Sequence, residues 1–211
     1  MSGVDFAAEN GAEQVWWLDV AAPDWLDVPV APCDAAQWRG DVTEILALLE
    51  SVDTQLEGEE GVLAPRGPLD LGATLDGLVE FAAALAPGQR LVLGLAVPGR
   101  WPLPVVVEVS LIGDDPEDLM VVAGARGGLP IETPIVESLA EEFGDGIRVT
   151  RFDLDDDAAL WATVTCAQRR ATGGGEIDSV LTWRTTDLEL VPLFSEHLET
   201  LYRGIRIGEA A

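Results

Sequence analysis

The second half of this chain consists of short β-branched runs cut apart by glycine, proline and aspartate, and that rhythm limits its fold more than any other feature. LVLGLAV and PVVVEVSLI read as strands over about 90–97 and 104–112. GDDPED then turns the chain into LMVVAGA, which reads as a returning hairpin strand over 118–125. IRVTRFDL, LWATVTCAQR and SVLTWRTT read as three more strands, the last two joined by ATGGGEID with Gly173, Gly174 and Gly175 as the hairpin loop. Between these groups, Thr133 and Pro134 have the form of an N-cap and first-turn proline, so IVESLAEEF reads as a short helix closed by Gly144. LELVPLFSEHLETLYRG reads as a final helix with a stripe at Leu190, Phe194, His197 and Leu201, partner positions Leu193 and Leu198, and a stop at Gly204. Strands joined by hairpins, without regular βαβ alternation, predict an antiparallel sheet of about five or six strands covered by helices, an α+β fold. In WATVTC, Trp161, Thr163 and Thr165 alternate with Ala162, Val164 and Cys166, so one side is expected to be core and the other less buried.

The first half differs. From Trp38, apolar residues recur at Val42, Ile45, Leu49, Val52 and Leu56 in steps of four and three. This is the stripe of an amphipathic helix, with Asp34 as its N-cap and Gly58 as its stop. A second helix is expected from about Thr74 to Ala86, burying Leu75, Leu78, Val79, Ala82 and Leu85 before Pro87 and Gly88. Residues 1–62 hold 14 of the acids and a single Arg, against a net charge of -26 for the whole chain. The expected organisation is a disordered 1–13, an extended Trp-rich arm over 14–33, an acidic two-helix segment over 34–88 and the sheet with its C-terminal helix over 89–211. Residues 14–211 are expected to form one compact unit.

The arm contains a near repeat. Trp17-Leu18-Asp19-Val20-Ala21-Ala22-Pro23-Asp24 is followed by Trp25-Leu26-Asp27-Val28-Pro29-Val30-Ala31-Pro32. Its prolines cannot donate to a ladder, which confines either copy to an edge strand or an extended arm. Within each copy Trp and Asp share one side and Leu and Val the other. Two readings stay open: an arm whose Leu and Val pack on the helix beside it, or an interface with another protein or a second copy. The residues that would carry the interface are Trp16, Trp17, Asp19, Trp25 and Asp27.

The charge excludes some partners. A sequence pI near 4.1 leaves no basic patch to displace counterions from phosphate, so nucleic acid is not an expected partner. An anionic membrane surface is disfavoured for the same reason. No apolar stretch reaches bilayer length, and MSGVDFAAEN lacks a secretory pattern, so a cytoplasmic location is expected. All 12 basic residues are Arg and Asn10 is the only Asn, a composition resembling that of high-GC actinobacterial coding, with a haloarchaeal source as the rival explanation.

No residue pattern here announces catalysis, a cofactor or a metal. Cys33, Cys166 and the lone His197 do not supply a four-ligand zinc site. FDLDDDAALW places Asp153, Asp155 and Asp157 at calcium-loop spacing. However, Ala158 stands where the loop needs glycine and Val164 where it needs a bidentate glutamate. GARGG, residues 124–128, lacks the order of a phosphate loop. His197 has no recognisable nucleophile beside it and reads as a core-edge histidine. Glu108, interrupting VVVEVSL, is the acid to watch, though an alternating strand normally turns it to solvent.

LAVPGRWP, with Pro98 and Trp101, precedes the VVVEVSL strand, a helix and an antiparallel triplet, and TWRTTDLELVPLFSEHLETLYRGIRI closes the chain as strand, helix and short terminal segment. Over about 89–207 this order resembles the Mog1/PsbP-like group. The resemblance implies a central antiparallel sheet between helices and an accessory or assembly protein, with no shared active site to carry over. The functional expectation is therefore a non-enzymatic accessory protein acting through an acidic, Trp-bearing surface on another protein, a basic one being the natural complement, or on itself as a homodimer. The alternative is a small-molecule-binding domain or hydrolase with a pocket between sheet and helices, lined by Trp101, Trp161 or Trp183.

Overall fold

The computed structural model describes residues 4–5, 14–18, 25–30, 32–56, 70–95, 97, 100, 102–113, 115–140, 142, 144–172 and 175–209, the backbone alone at 4–5, 14–18, 32–33, 50–56 and 207–209. In chain order the elements are β1 (Val4–Asp5), β2 (Gln14–Leu18), β3 (Trp25–Asp27), α1 (Pro32–Leu56), α2 (Leu71–Ala84), β4 (Gln89–Gly94), β5 (Leu103–Leu111), α3 (Leu119–Val122), β6 (Ile135–Ser138), β7 (Ile147–Leu154), β8 (Leu160–Thr172), β9 (Gly175–Thr185), α4 (Leu190–Arg203) and β10 (Ile205–Glu209). A seven-stranded sheet runs in the order β3-β4-β5-β9-β8-β7-β6, every neighbouring pair antiparallel. A second sheet joins β1, β2 and β10.

The fold is α+β, as the strand rhythm predicts, with one strand more than the expected upper count. Alternation along each strand sorts side chains between two layers. On one side Val92, Val105, Val107, Val164, Cys166, Leu181 and Trp183 meet Leu190, Phe194, Leu198 and Leu201 of α4. On the other side Val28, Leu91 and Leu93 meet Val42 and Leu46 of α1 and Leu75, Leu78 and Ala82 of α2. Farther along that side, Val149, Ala167 and Val180 are covered by Ala123 and by Leu119 and Val122 of α3. The sheet is thus buried on both faces near β4 and more open at the β8–β7–β6 end.

Close approach sets one glycine. A Cβ on Gly94 would lie 2.5 Å from Phe194 Cζ and 3.0 Å from Trp25 Cζ3, so the α4 aromatic sits on bare strand backbone. Phe194 also stacks edge-on against Trp183, ring centroids 4.8 Å apart.

Two expected elements exchange types. Residues 118–125 do not return as a strand: Asp118 accepts from Met120 N at 2.9 Å and caps the single-turn helix α3. Gly124, at φ +76, ends it. The apolar run is too short to separate the two periodicities, and the local cap decides. Conversely, the expected helix at IVESLAEEF is the strand β6. Ile135 and Val136 are β-branched and pair with Thr150 and Val149 of β7, and this long-range ladder overrides the Thr133–Pro134 cap signal. Smaller shifts occur at helix starts. α1 begins at Pro32, which places Asp34 inside its first turn, and α2 begins at Leu71, where Asp70 Oδ1 accepts from Ala73 N at 3.1 Å.

Candidate functional site

The arm resolves into two strands in different sheets. Trp16 and Trp17 lie on β2, where Trp16 pairs with Val4 and Ile207, and Trp17 with Arg206. Their side chains, and Asp19 altogether, lie outside the described residues, as does the expected disordered stretch apart from Val4 and Asp5. The second copy forms β3, the edge strand beside β4. Its alternation is the expected one: Leu26 and Val28 face α1 and α2, while Trp25 turns to the α4 layer. Trp25 is only 5% exposed, with its ring centroid 5.5 Å from that of Phe194. Asp27 Oδ2 stands 3.7 Å from Arg90 Nη1, and its carboxyl is pushed above the usual aspartate range by burial, with the Arg90 charge acting in the opposite sense. Trp25 therefore anchors the arm internally rather than offering an exposed anchor.

The acidic turn at 153–159 uses its carboxylates locally. Asp155 Oδ1 accepts from Asp157 N and Ala159 N, and its Oδ2 accepts from Trp161 Nε1 at 2.8 Å. The Trp161 indole, followed by the Ala159 amide, holds the Asp155 carboxyl below the ordinary range. Arg151 binds both oxygens of Asp153 and likewise lowers it. Arg151 Nη1 also donates to Gly124 O and Gly127 O, so the glycine loop turns carbonyls towards a cation, the reverse polarity of a phosphate cradle. Among the described residues no group of three metal-binding side chains forms.

The other candidates also have local partners. Glu108, half-buried, accepts from Gln89 Nε2 across the β4–β5 ladder at 2.7 Å. His197 is half-buried at the core edge, its ring centroid 6.2 Å from that of Phe194. Cys166 is fully buried, and that burial pushes its thiol up to about 12, away from nucleophilic use. Trp183 is filled into the core, Trp161 is half-buried under the Arg184 guanidinium at 4.2 Å, and Trp101 lies outside the described residues.

Charge divides by layer. On the sheet, arginines meet carboxylates in Arg151–Asp153, Arg169–Asp178 and Arg148 with both Glu137 and Glu199. On the outer surface of the helical layer Asp34, Asp41, Glu44, Asp76 and Glu80 are exposed, and Arg39, at 2.7 Å from Asp76, is the one basic side chain that meets them among the described residues. Phe81 of α2 is also 47% exposed.

The two edges of the large sheet also differ, a contrast that sequence reasoning missed by assigning 135–143 to a helix. β3 is three residues long, with Pro29 two positions beyond its end. β6 shows all four residues to solvent, Ile135 at 50% and Val136 at 42%, beside Ile131 and the 94%-exposed Leu129. The available signal was the adjacent β-branched pair after Pro134. No helix among the described residues is long and apolar enough to cross a membrane. Compared with known proteins, the chain matches no family model, no curated protein and no solved structure.

Proposed function

We propose that this chain is a non-enzymatic, cytoplasmic accessory protein that acts by binding another protein, with the acidic outer surface of α1 and α2 as its principal contact. The observation that carries this reading is the uneven neutralisation of charge. Arg148, Arg151 and Arg169 on the sheet are paired with nearby carboxylates, whereas Asp34, Asp41, Glu44 and Glu80 meet no basic side chain among the described residues. An uncompensated acidic field steers a basic surface towards it and repels nucleic acid and anionic lipid. Trp16, Trp17 and Asp19 remain proposed contributors; Trp25 and Asp27 support the arm from within. Kinship with the Mog1/PsbP-like group remains part of the same proposal.

The test is an Asp41→Asn, Glu44→Gln, Glu80→Gln triple variant. All three side chains are exposed, so melting should stay near that of the unaltered chain. Recovered from the host at low ionic strength, the unaltered chain is expected to bring a basic protein that leaves at high salt. The triple variant should retain it about tenfold less, on the order of 1.4 kcal/mol. Equal retention by the two forms would remove the helical layer from the interface.

A further inference from the structure

We infer that β6 is a docking edge that takes up an extended, basic segment of a partner protein as an eighth strand of the large sheet. This rests on the protein-binding reading but concerns the opposite margin of the sheet from β3, beside which α1 and α2 pack.

The ladder geometry shows what the edge offers. Leu139 N donates to Gly146 O at 2.9 Å, in register with Ile135↔Thr150 and Glu137↔Arg148. Hydrogen-bonded and non-hydrogen-bonded pairs alternate along an antiparallel ladder, so Ile135 and Glu137 exchange their backbone bonds with β7. The N–H and C=O groups of Val136 and Ser138 therefore point away from β7, and no described strand lies beyond them. Such an edge is normally blunted by shortness, charge, a bulge, proline or a covering loop. β6, though only four residues long with Glu137 in it, still offers apolar surface. It shows Ile135 on one face and Val136 on the other, both about half exposed. An incoming strand would satisfy the outward backbone groups and lay its side chains over both.

Charge selects the occupant. Residues 127–147 contain Glu132, Glu137, Glu141, Glu142 and Asp145 and no basic residue. Arg148 and Arg203, reaching in from β7 and α4, neutralise Glu137 and Glu142. A second copy would bring a second acidic segment against the first, and like charges placed opposite one another across strands destabilise the pairing. A strand alternating apolar and basic residues meets both features of the edge. The β3 edge differs in carrying Asp27 beside Arg90 and in having its Trp25, 5% exposed, buried against Phe194.

The probe is a short acetylated and amidated peptide alternating valine or threonine with arginine, with a control in which glutamate replaces arginine. Added to the full chain, the arginine peptide is expected to slow amide exchange at Val136 and Ser138 by about tenfold, read by NMR, while the glutamate peptide leaves it unchanged. Val136→Pro removes an outward N–H without touching the β7 ladder, so the variant should melt like the unaltered chain and lose the peptide. Should that variant fail to fold, the exchange readout on the unaltered chain still decides. No slowing with the arginine peptide, equal slowing by both peptides, or full binding by a folded Val136→Pro variant would overturn the assignment. A concentration-dependent dimer abolished by Val136→Pro would overturn it too, giving the edge to a second copy. If Val136→Pro still retains the host partner that the α1–α2 triple variant loses, the edge proposal fails and the protein-binding reading stands. If the unaltered chain brings no protein partner yet binds the peptide at β6, the reading fails and the edge stands as a strand acceptor.

Discussion

Phe194 and Gly94 illustrate how much of this fold depends on single contacts. The ring rests where a Cβ on β4 would be, so Gly94→Ala forces either α4 or the strand to move. Overpacking of this kind costs about 1–3 kcal/mol, and urea unfolding of Gly94→Ala should show a loss in that range with an unchanged denaturant slope. A loss below a few tenths would mean that α4 slides freely. The glycine was visible in LVLGLAV, but the partner that required it lies 100 residues onward, and periodicity within one element cannot reveal it. Asp155 is a second such case. Its carboxylate takes three donors, and its folded pKa lies below the unfolded value. The stability it adds is therefore complete above the unfolded pKa of about 4 and is lost as pH falls through the lower folded value. Asp155→Asn lacks that contribution, so the difference in stability between the two proteins should narrow as the pH is taken from 5 towards 2. A constant difference across that range would show that the charge is not what holds the turn. Spacing alone had offered this acid as a calcium ligand; only the folded turn shows its oxygens turned towards Trp161, Ala159 and Asp157.

At the scale of elements, the sequence was most readable where one physical signal was long and unopposed. β7 and α4 fall close to their expected bounds, because alternation or a helical stripe persists over many residues. β8, by contrast, runs on to Thr172 and β9 starts at Gly175, so most of the expected loop over 171–178 is paired ladder. The exchange of types at 118–125 and 135–143 has the opposite cause. LMVV and IVES are each four residues long and equally apolar at the start, so their conformation is set by what lies beside them: Asp118 as a cap for the first, the β7 ladder for the second. The candidate edge was illegible for that reason, while the acidic helical segment was legible from composition alone. The alternation of bonds along β6 carries its own prediction. Glu137 bonds inward to β7, so Glu137→Pro should remove ladder bonds and lower the melting temperature by several degrees, where Val136→Pro does not. Equal melting of the two proline variants would show that the register is not the one described.

Across the whole molecule, the net charge of -26 is the property that ties fold to proposed role. Arg148, Arg151 and Arg169 of the sheet pair with carboxylates locally, while Asp34, Asp41, Glu44 and Glu80 on α1 and α2 are exposed and meet no basic side chain among the described residues. Long-range repulsion of this size favours any basic partner that relieves it, and salt weakens such attraction because the Debye length falls to roughly 3 Å at 1 M. The most direct test is the intact mass of what the unaltered chain carries when recovered from its host, weighed by native mass spectrometry at low and at high ionic strength. The account predicts a basic protein present at low salt, absent at high salt and depleted with the Asp41→Asn, Glu44→Gln, Glu80→Gln variant. A bare chain, or a small bound mass indifferent to salt, would contradict it.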